Sequence, residues 1–222
     1  HLERARSGAI AQQEERRGLF QDPLQPMLNR AIRGTYAPGS TLKMVAAVAA
    51  LETGVTDTLS TFEACSGAMR MGDVTFRCAK RDGHGELSLL QAIERSCNIY
   101  FSHLAQVLGV EAWYEYGVRF GFGQPTGIDI EPRELAGLLP SRKWYAEREG
   151  WSAGHLMNLA IGQGAMLVTP VQMARYVAAL ANGGYLVTPH LHGPAPPPVR
   201  VDISASTLDI VRRVMHRVVY GD

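Results

Sequence analysis

The sequence has almost no charge imbalance, few cysteines and no long apolar run. Its 222 residues carry 22 Lys and Arg against 21 Asp and Glu, which gives a formal net charge of +1. This balance argues against bulk electrostatic binding to nucleic acid or to an anionic membrane. Because no stretch of about 18 apolar residues occurs, no part of the sequence is predicted to span a bilayer. The three cysteines cannot all pair with one another, which argues against a disulfide framework.

The sequence also shows no signal peptide and no internal repeat. Its first residue is His1 rather than Met, so we expect that the natural start has been removed or lies outside these residues. A hydrophobic fraction of 46% excludes a chain that stays disordered for lack of apolar residues. The length fits one large domain or two small ones.

Helices dominate the predicted secondary structure. Apolar periodicity, capping residues and glycines after the last turn predict helices at residues 40–53, 88–94, 99–108, 112–120, 170–181 and 204–219. Residues 65–86 have the pattern of a β-hairpin, since Gly72-Asp73 separates two short β-type runs. A short strand is expected at residues 185–187 and an extended proline-rich loop at 193–198. This strand content is too small for a sheet that carries so many helices.

Ser40 and Lys43 form the first candidate catalytic pair. In this Ser-x-x-Lys motif the spacing of three places the two side chains on one face of the predicted helix. Ser40 follows the turn residues Pro38-Gly39, so it lies at the helix N-terminus, where unpaired N–H groups and the helix dipole favour negative charge. Burial would lower the pKa of Lys43 and let the neutral amine act as a base. The alternative is an N-cap serine beside a lysine whose ammonium reaches water.

Ser96 and Asn98 form a second candidate motif, Ser-x-Asn, between two predicted helices. A second hydroxyl beside Ser40 could relay a proton, and an amide could hold a carbonyl or an N–H of a substrate. Helix capping is the structural alternative, since serine and asparagine are common at caps. The two motifs together match the first two of the three motifs of serine transpeptidases and serine β-lactamases.

With these motifs in this order, residues from about 26 to 222 resemble the transpeptidase domain of class B penicillin-binding proteins, most closely the group that acts in cell elongation. The residues that carry the resemblance are Asn29-Arg30-Ala31, Tyr36-Ala37-Pro38-Gly39-Ser40-Thr41-Leu42-Lys43, Gly83-His84-Gly85, Ser96-Cys97-Asn98-Ile99-Tyr100-Phe101, Phe120-Gly121-Phe122-Gly123, Thr126-Gly127-Ile128-Asp129, Gly162-Gln163-Gly164 and Thr169-Pro170.

The resemblance implies an α/β fold of the α+β type, in which helices flank an antiparallel sheet and a central helix begins at Ser40. It also implies a D,D-transpeptidase that cross-links the stem peptides of peptidoglycan. Ser40 would attack the D-Ala-D-Ala carbonyl and form an acyl-enzyme, while Lys43 takes the proton. Ser96 and Asn98 would relay the proton and position the substrate. β-Lactams would acylate the same serine.

The resemblance further implies an arrangement of the whole protein. Residues 1–8 would be the end of a linking or pedestal region, and residues 9–222 would belong to the transpeptidase domain. An N-terminal helix outside these residues would anchor the protein in the bacterial cell membrane, with the domain on its extracytoplasmic side. A glycosyltransferase of the SEDS family, which polymerises glycan strands, is the implied partner.

Two departures from the family pattern stand out. The third motif, Lys-(Thr/Ser)-Gly, follows the final helix in the family and does not occur in these residues. A strand–turn–strand that usually follows a segment like Ser7-Gly8-Ala9-Ile10 is also missing. Both missing pieces are sheet strands, which would account for the low strand content. We therefore expect these residues to be part of a longer chain, which intact-mass measurement would test.

Two other functions fit the same motifs. A serine β-lactamase of related fold would need a base that rapidly deacylates the enzyme, and no additional Glu or Asp motif is obvious. A non-enzymatic β-lactam sensor or zinc-stabilised interaction domain is the other alternative. The lifetime of an adduct with a fluorescent penicillin separates the first alternative from a transpeptidase, and a Ser40→Ala variant tests the second.

The three cysteines and one histidine are a candidate metal site. Cys65, Cys78, His84 and Cys97 would supply three thiolates and one imidazole, which make a closed tetrahedral set for Zn²⁺. The predicted hairpin could bring Cys65 and Cys78 together. The alternatives are a Cys65–Cys78 disulfide with a free Cys97, or three unrelated buried thiols.

The family resemblance supports zinc, since some members of the elongation group carry zinc ligands in this region. Four protein ligands leave no open position for water, so the role of the metal would be structural. Cys97 lies inside the Ser-x-Asn motif, and a metal bound there would attach that motif to the predicted hairpin. Gly162-Gln163-Gly164 is a further candidate as lining of the substrate cleft, with an ordinary tight turn as the alternative.

Overall fold

The computed structural model of the chain describes residues 16–221. Residues 16–21 are helical (α1). The helices that follow are α2 (Arg30–Arg33), α3 (Lys43–Thr53), α4 (Leu89–Glu94), α5 (Asn98–Leu108), α6 (Val110–Arg119), α7 (Arg142–Ala146), α8 (Ala153–Ala160), α9 (Pro170–Ala181) and α10 (Ala205–Tyr220), and a 3₁₀ turn at Gly39–Leu42 leads into α3. The expected linker at residues 1–8 lies outside the described residues.

Helix α3 is the centre of the described part. Every residue from Lys43 to Ala50 is buried, and four of these eight are alanines. Alanine has the highest helix propensity, and its short side chain lets neighbouring helices approach closely on every side. Gly54 ends the helix in the left-handed conformation, at φ +70°, as the sequence pattern predicts. The result is a helix whose first eight residues are buried, and the 3₁₀ turn that leads into it holds the candidate serine.

Helices α4, α5, α6, α8 and α10 pack around α3. At the C-terminal end of α3, the Glu52 carboxylate accepts hydrogen bonds from the backbone N–H and the hydroxyl of Ser204, at 3.1 and 2.6 Å. Ser204 is also the N-cap of α10, because its hydroxyl accepts from the N–H of Thr207. These bonds join the end of the central helix to the start of the last helix.

The strands form two small antiparallel sheets within residues 16–221. Strand β1 (Ala68–Met71) pairs with β2 (Val74–Arg77) across the turn that the sequence predicts. Strand β3 (Tyr185–Leu186) pairs with β4 (Val199–Arg200). The sequence did not predict β4, because two residues after a proline-rich loop carry no alternation that could be recognised.

All six predicted helices are present, with ends that shift by a few residues. The clearest difference is at Ser40, which lies in the 3₁₀ turn and not in the first turn of α3. Helices α1 and α2 were not predicted, nor were α7 and α8, which are only five and eight residues long and therefore too short to show a clear apolar period. Their caps are the signal that could have found them: Ser141 accepts from the N–H of Trp144, and Ser152 forms a capping box with His155.

None of the helices within residues 16–221 combines the length and the apolar character that a bilayer crossing requires.

Candidate active site

Ser40 lies in a tight backbone turn at the entrance to α3. Gly39, immediately before it, has φ +60°, a conformation that favours glycine. The hydroxyl of Thr41 donates to the carbonyl of Pro38 at 2.7 Å and tightens the turn. Ser40 is the second residue of this turn, so its N–H is one of the donors that a helix start leaves without an intrahelical partner. That N–H can stabilise negative charge beside the hydroxyl.

Lys43 is the first residue of α3 and is 1% exposed. Its Nζ donates to three oxygens: the carbonyl of Ser96 at 2.7 Å, the hydroxyl of Ser96 at 3.0 Å and Oδ1 of Asn98 at 2.7 Å. It also lies 5.5 Å from the ring centroid of Phe101. The structure therefore brings Lys43, Ser96 and Asn98 together, although more than fifty residues separate the two motifs.

The environment of Lys43 favours its neutral form. Burial lowers the pKa of Lys43 to about 8, and the nearby Cys78 and Cys97 oppose the shift only partly. A lysine ammonium has three N–H groups and can donate all three observed hydrogen bonds, whereas a neutral amine has two N–H groups and one lone pair. On losing its proton, Lys43 can therefore keep two of these bonds and accept the third, from the hydroxyl of Ser96. This rearrangement makes the pair a route for a proton.

Ser96 has a backbone conformation that is uncommon for a serine, with φ +50°. Ser96 follows the last turn of α4. Its N–H donates to the carbonyl of Ile93 at 3.0 Å, and the N–H of Cys97 donates to the carbonyl of Ala92 at 2.9 Å. A residue at such a helix end is usually glycine. A hydroxyl kept here despite the strain suggests a functional use of that hydroxyl.

Asn98, the first residue of α5, uses both ends of its amide. Its Oδ1 accepts from Lys43, and its Nδ2 donates to the carbonyl of Arg77 at 3.1 Å. Arg77 is the last residue of β2 and precedes Cys78. The sequence could not reveal this contact, since a backbone carbonyl carries no residue signature. One N–H of the amide remains for a substrate.

Within residues 16–221, Ser40 Oγ forms no hydrogen bond with Lys43 Nζ. The two residues are adjacent through the helix turn, where the N–H of Lys43 donates to the carbonyl of Ser40. The lysine head is thus held by the Ser-x-Asn motif, while Ser40 is exposed, so that a substrate can reach it.

The turn at Gly162-Gln163-Gly164 lies directly beside the nucleophile turn. The N–H of Gly39 donates to the carbonyl of Gly162 at 2.8 Å. A Cβ placed on Gly162 would lie 2.0 Å from the carbonyl oxygen of Gly39, so only glycine allows this approach. Gln163 is exposed next to it. The structure therefore places the predicted substrate-binding residues within reach of a molecule held at Ser40.

Cys65, Cys78, His84 and Cys97 also converge. One ligand atom from each lies within 4.8 Å of the others, and all three thiols are free. Nδ1 of His84 lies 3.4 Å from Sγ of Cys78 and 3.9 Å from Sγ of Cys65. The backbone of Cys65 pairs with Gly85, which turns the chain back on itself and carries His84 to the cluster.

The ionisation of the cluster depends on its surroundings. Burial, together with the positive charges of Lys80, Arg95 and Lys43, lowers the pKa of His84 and favours the neutral imidazole. Burial raises the pKa of the Cys97 thiol to about 12. At Cys78 burial opposes ionisation, but hydrogen bonds from the backbone of Lys80 and Asn98 and from the thiols of Cys65 and Cys97 together lower the pKa.

Comparison with known proteins identifies the family. The profile described as "Penicillin binding protein transpeptidase domain" matches residues 4–222. The chain therefore belongs to the penicillin-binding protein transpeptidase family, and the α/β fold class predicted from the sequence is confirmed by solved members of that family.

Within the family, the similar proteins include enzymes named MrdA and penicillin-binding protein 2. The chain is 38% identical over 183 residues to the peptidoglycan D,D-transpeptidase MrdA of Acinetobacter baumannii, covering 79% of this chain and 27% of that protein. It matches penicillin-binding protein 2 (PBP2) of Pseudomonas aeruginosa, solved with WCK 5153, with a TM-score of 0.83 and 35% identity, covering 94% of this chain and 50% of that one. It matches PBP2 of Helicobacter pylori, solved with MreC, with a TM-score of 0.86 and 31% identity, covering 92% and 39%.

The chain spans about a quarter of the length of the curated relatives it matches, since the aligned part covers 27% of the Acinetobacter baumannii protein.

Proposed function

We propose that this chain carries the acylation site of a peptidoglycan D,D-transpeptidase. The observation that carries the proposal is the set of three hydrogen bonds from Lys43 Nζ to the Ser-x-Asn motif, one helical turn from Ser40. Burial lowers the pKa of Lys43 to about 8, so a fraction of the amine is neutral near physiological pH, and Ser40 lies one turn before it at a helix start. This combination supports acyl transfer through a serine ester.

In the proposed reaction, Ser40 Oγ attacks the carbonyl carbon of the D-Ala-D-Ala bond, and its proton passes to neutral Lys43. The Ser40 N–H stabilises the oxyanion. When the C–N bond breaks, the proton moves through the Ser96 hydroxyl to the departing amine of D-alanine. The amine of a second stem peptide then attacks the ester, loses its proton along the same route and releases Ser40.

Acylation by a fluorescent penicillin tests this function in the full-length protein. We expect one covalent adduct per protein, a peptide map that places it on Ser40, and no adduct in Ser40→Ala. A long-lived adduct supports a transpeptidase, whereas rapid hydrolysis would indicate a β-lactamase. Failure to form any adduct in folded protein contradicts the proposal.

Residues 162–164 are proposed to contact the substrate. The turn is held against Gly39, which precedes Ser40, and Nε2 of the exposed Gln163 would lie 3.9 Å from a Cβ placed on Gly39. An amide there can accept and donate along an extended peptide. We expect Gln163→Ala to weaken substrate binding more than it slows acylation, and an unchanged dissociation constant would argue against this assignment.

We also propose that Cys65, Cys78, His84 and Cys97 hold a structural Zn²⁺. A zinc–sulfur distance of about 2.3 Å places tetrahedral ligand atoms about 3.8 Å apart, and the four ligand atoms found within 4.8 Å need only a small contraction. The lowered pKa of His84 leaves its nitrogen free to bind a cation. A bound metal would fix the end of β2 to the start of α5, and so support Asn98.

Elemental analysis and thiol titration test the metal. We expect about one zinc per chain, and thiols that react only after chelation. Less than half a zinc per chain with all three thiols immediately reactive would argue against the site. A single reactive thiol in protein that contains no zinc would indicate the Cys65–Cys78 disulfide instead.

The wider setting is proposed from the family. Peptidoglycan stem peptides are the proposed substrates and β-lactams the proposed inhibitors, and a SEDS-family glycosyltransferase is the proposed partner. The Helicobacter pylori relative was solved in complex with MreC, and another similar structure is of a peptidoglycan synthase complex, which supports work within an assembly. The domain is proposed to act outside the bacterial cell membrane, attached by a segment beyond the described residues. Cleavage of the domain by a protease that cannot cross the cell membrane, added while that membrane is intact, would support this location.

A further inference from the structure

Tyr145 is a buried tyrosine that none of the motifs includes. It lies in α7, is 1% exposed, and stacks on the ring of His155 with centroids 4.1 Å apart and an angle of 12°. Trp144 and Trp151 lie against its other edges, at 5.0 and 5.7 Å. This packing fixes the ring plane, so the hydroxyl at its far end has little freedom to move.

The hydroxyl of Tyr145 meets the turn that follows α8. The backbone N–H of Ala165 donates to Oη of Tyr145 at 3.3 Å. Gly164 lies directly against the same oxygen, since a Cβ placed on it would be 3.4 Å from Oη. His155, the stacking partner, belongs to the capping box at the start of α8. Tyr145 thus contacts both the start of α8, through His155, and the turn that follows α8, through Ala165.

The other side of that turn touches the backbone next to the nucleophile. Gly162 accepts from the N–H of Gly39 and leaves no room for a Cβ between the two chains. Gly39 precedes Ser40 and has the left-handed conformation that starts the 3₁₀ turn. A displacement of residues 162–165 is therefore transmitted to Ser40 through one hydrogen bond and one close backbone contact.

We propose that Tyr145 is a positioning residue for acylation, whose hydroxyl fixes the 162–165 turn and through Gly39 sets the placement of Ser40. The role rests on the proposed acyl-transfer function. Tyr145 does not touch the substrate, so it acts on the rate of bond formation more than on binding. Misplacement of a reacting group by a fraction of an ångström slows the chemical step even when the binding surface is intact.

The Tyr145→Phe variant of the full-length protein tests the role, because it keeps the stacked ring and removes only the hydroxyl. We expect the acylation rate constant for a fluorescent penicillin to fall about three- to tenfold, the loss that one hydrogen bond to a neutral group allows. The non-covalent dissociation constant should change less than about twofold. Hydrogen exchange at the N–H of Ala165 should become faster. The final amount of adduct corrects for any unfolded fraction.

Tyr100→Phe is the matched control. Tyr100 is also buried, and its hydroxyl donates to the carbonyl of Ser60 at 2.8 Å and not to the 162–165 turn. It should lose stability without a change in the acylation rate constant. Equal rate constants for the wild type and Tyr145→Phe, or equal losses in both variants, overturn the positioning role alone. A wild-type protein that forms no adduct overturns the proposed function, and the role in acylation with it.

Discussion

The side-chain amide of Asn98 donates to the backbone carbonyl of Arg77 at 3.1 Å. This bond connects the Ser-x-Asn motif to the last residue of β2, one residue before Cys78. The same amide accepts from Lys43 at its other end, so its orientation is determined by the hairpin on one side and by the lysine on the other. The hairpin is therefore part of the support of the site, although none of its side chains is in the motif.

Replacement of Asn98 by aspartate separates these two contacts. In Asn98→Asp, a carboxylate oxygen still accepts from Lys43, but nothing donates to the Arg77 carbonyl. A new negative charge beside Lys43 raises its pKa, because the charged form gains a partner. We expect slower acylation at neutral pH and a pH–rate profile displaced to higher pH, measured as the rate of adduct formation. Asn98→Ala should also slow acylation, but without that displacement, and identical profiles for the two variants would contradict the argument.

The wild-type rate of acylation should depend on pH through Lys43. The pKa of Lys43 is lowered to about 8 by burial, and only the neutral amine can accept the proton of Ser40. The rate constant should therefore rise with pH through about 8 and level off above it. Stopped-flow measurement with a penicillin whose own charge is constant over this range checks the sign. A rate that is flat or falls through this range would exclude Lys43 as the base.

Two substitutions at Ser96 distinguish its hydroxyl from its backbone. Ser96→Ala and Ser96→Gly both remove the hydroxyl, and both should slow acylation, by about 10²-fold, as expected for loss of a proton relay. Only glycine relieves the strain of φ +50°. The Gly variant should therefore be more stable than the Ala variant by about 1 kcal/mol in denaturant unfolding. If Ser96→Gly is the less stable of the two, the strain argument is wrong.

Gly162→Ala tests the close approach to Gly39. The new Cβ would meet the Gly39 carbonyl oxygen at 2.0 Å, and φ +71° is unfavourable for alanine. We expect a loss of more than about 2 kcal/mol and acylation that is at least about tenfold slower.

Gly193→Ala is the matched control for that variant. Its φ is +74°, but a Cβ there meets nothing within 4 Å. It carries the same conformational cost of about 1 kcal/mol without the collision. Equal stability losses in the two variants would show that the contact with Gly39 is unimportant.

The sequence alone predicts much of the helical framework and the members of the site. Lys43 and Ser96 could be selected because their spacing and their local turn signals are properties of a few consecutive residues. The hairpin that brings Cys65 and Cys78 together could be predicted because Gly72-Asp73 marks its turn. Local patterns were sufficient wherever the relevant contacts are close in sequence.

What could not be predicted depends on packing between distant segments. A 3₁₀ turn and an α-helical turn have the same apolar pattern over four residues, so the conformation at Ser40 was not visible. The carbonyl of Arg77 has no side-chain signature. The contact between Tyr145 and Ala165 spans twenty residues and accompanies the stacking of Tyr145 on His155 of α8.

The alanine-rich helix α3 limits where this protein can vary. Residues 45–50 are fully enclosed, so a larger side chain there collides with a neighbouring helix and a smaller one leaves a cavity. For the proposed acylation of Ser40, substitutions that alter its rate while preserving the fold are therefore expected at the ends of segments: the turn before Ser40, the Ser-x-Asn motif and residues 162–165. Substitutions that slow acylation by a penicillin without unfolding the protein should map to these three segments and not to helix α3.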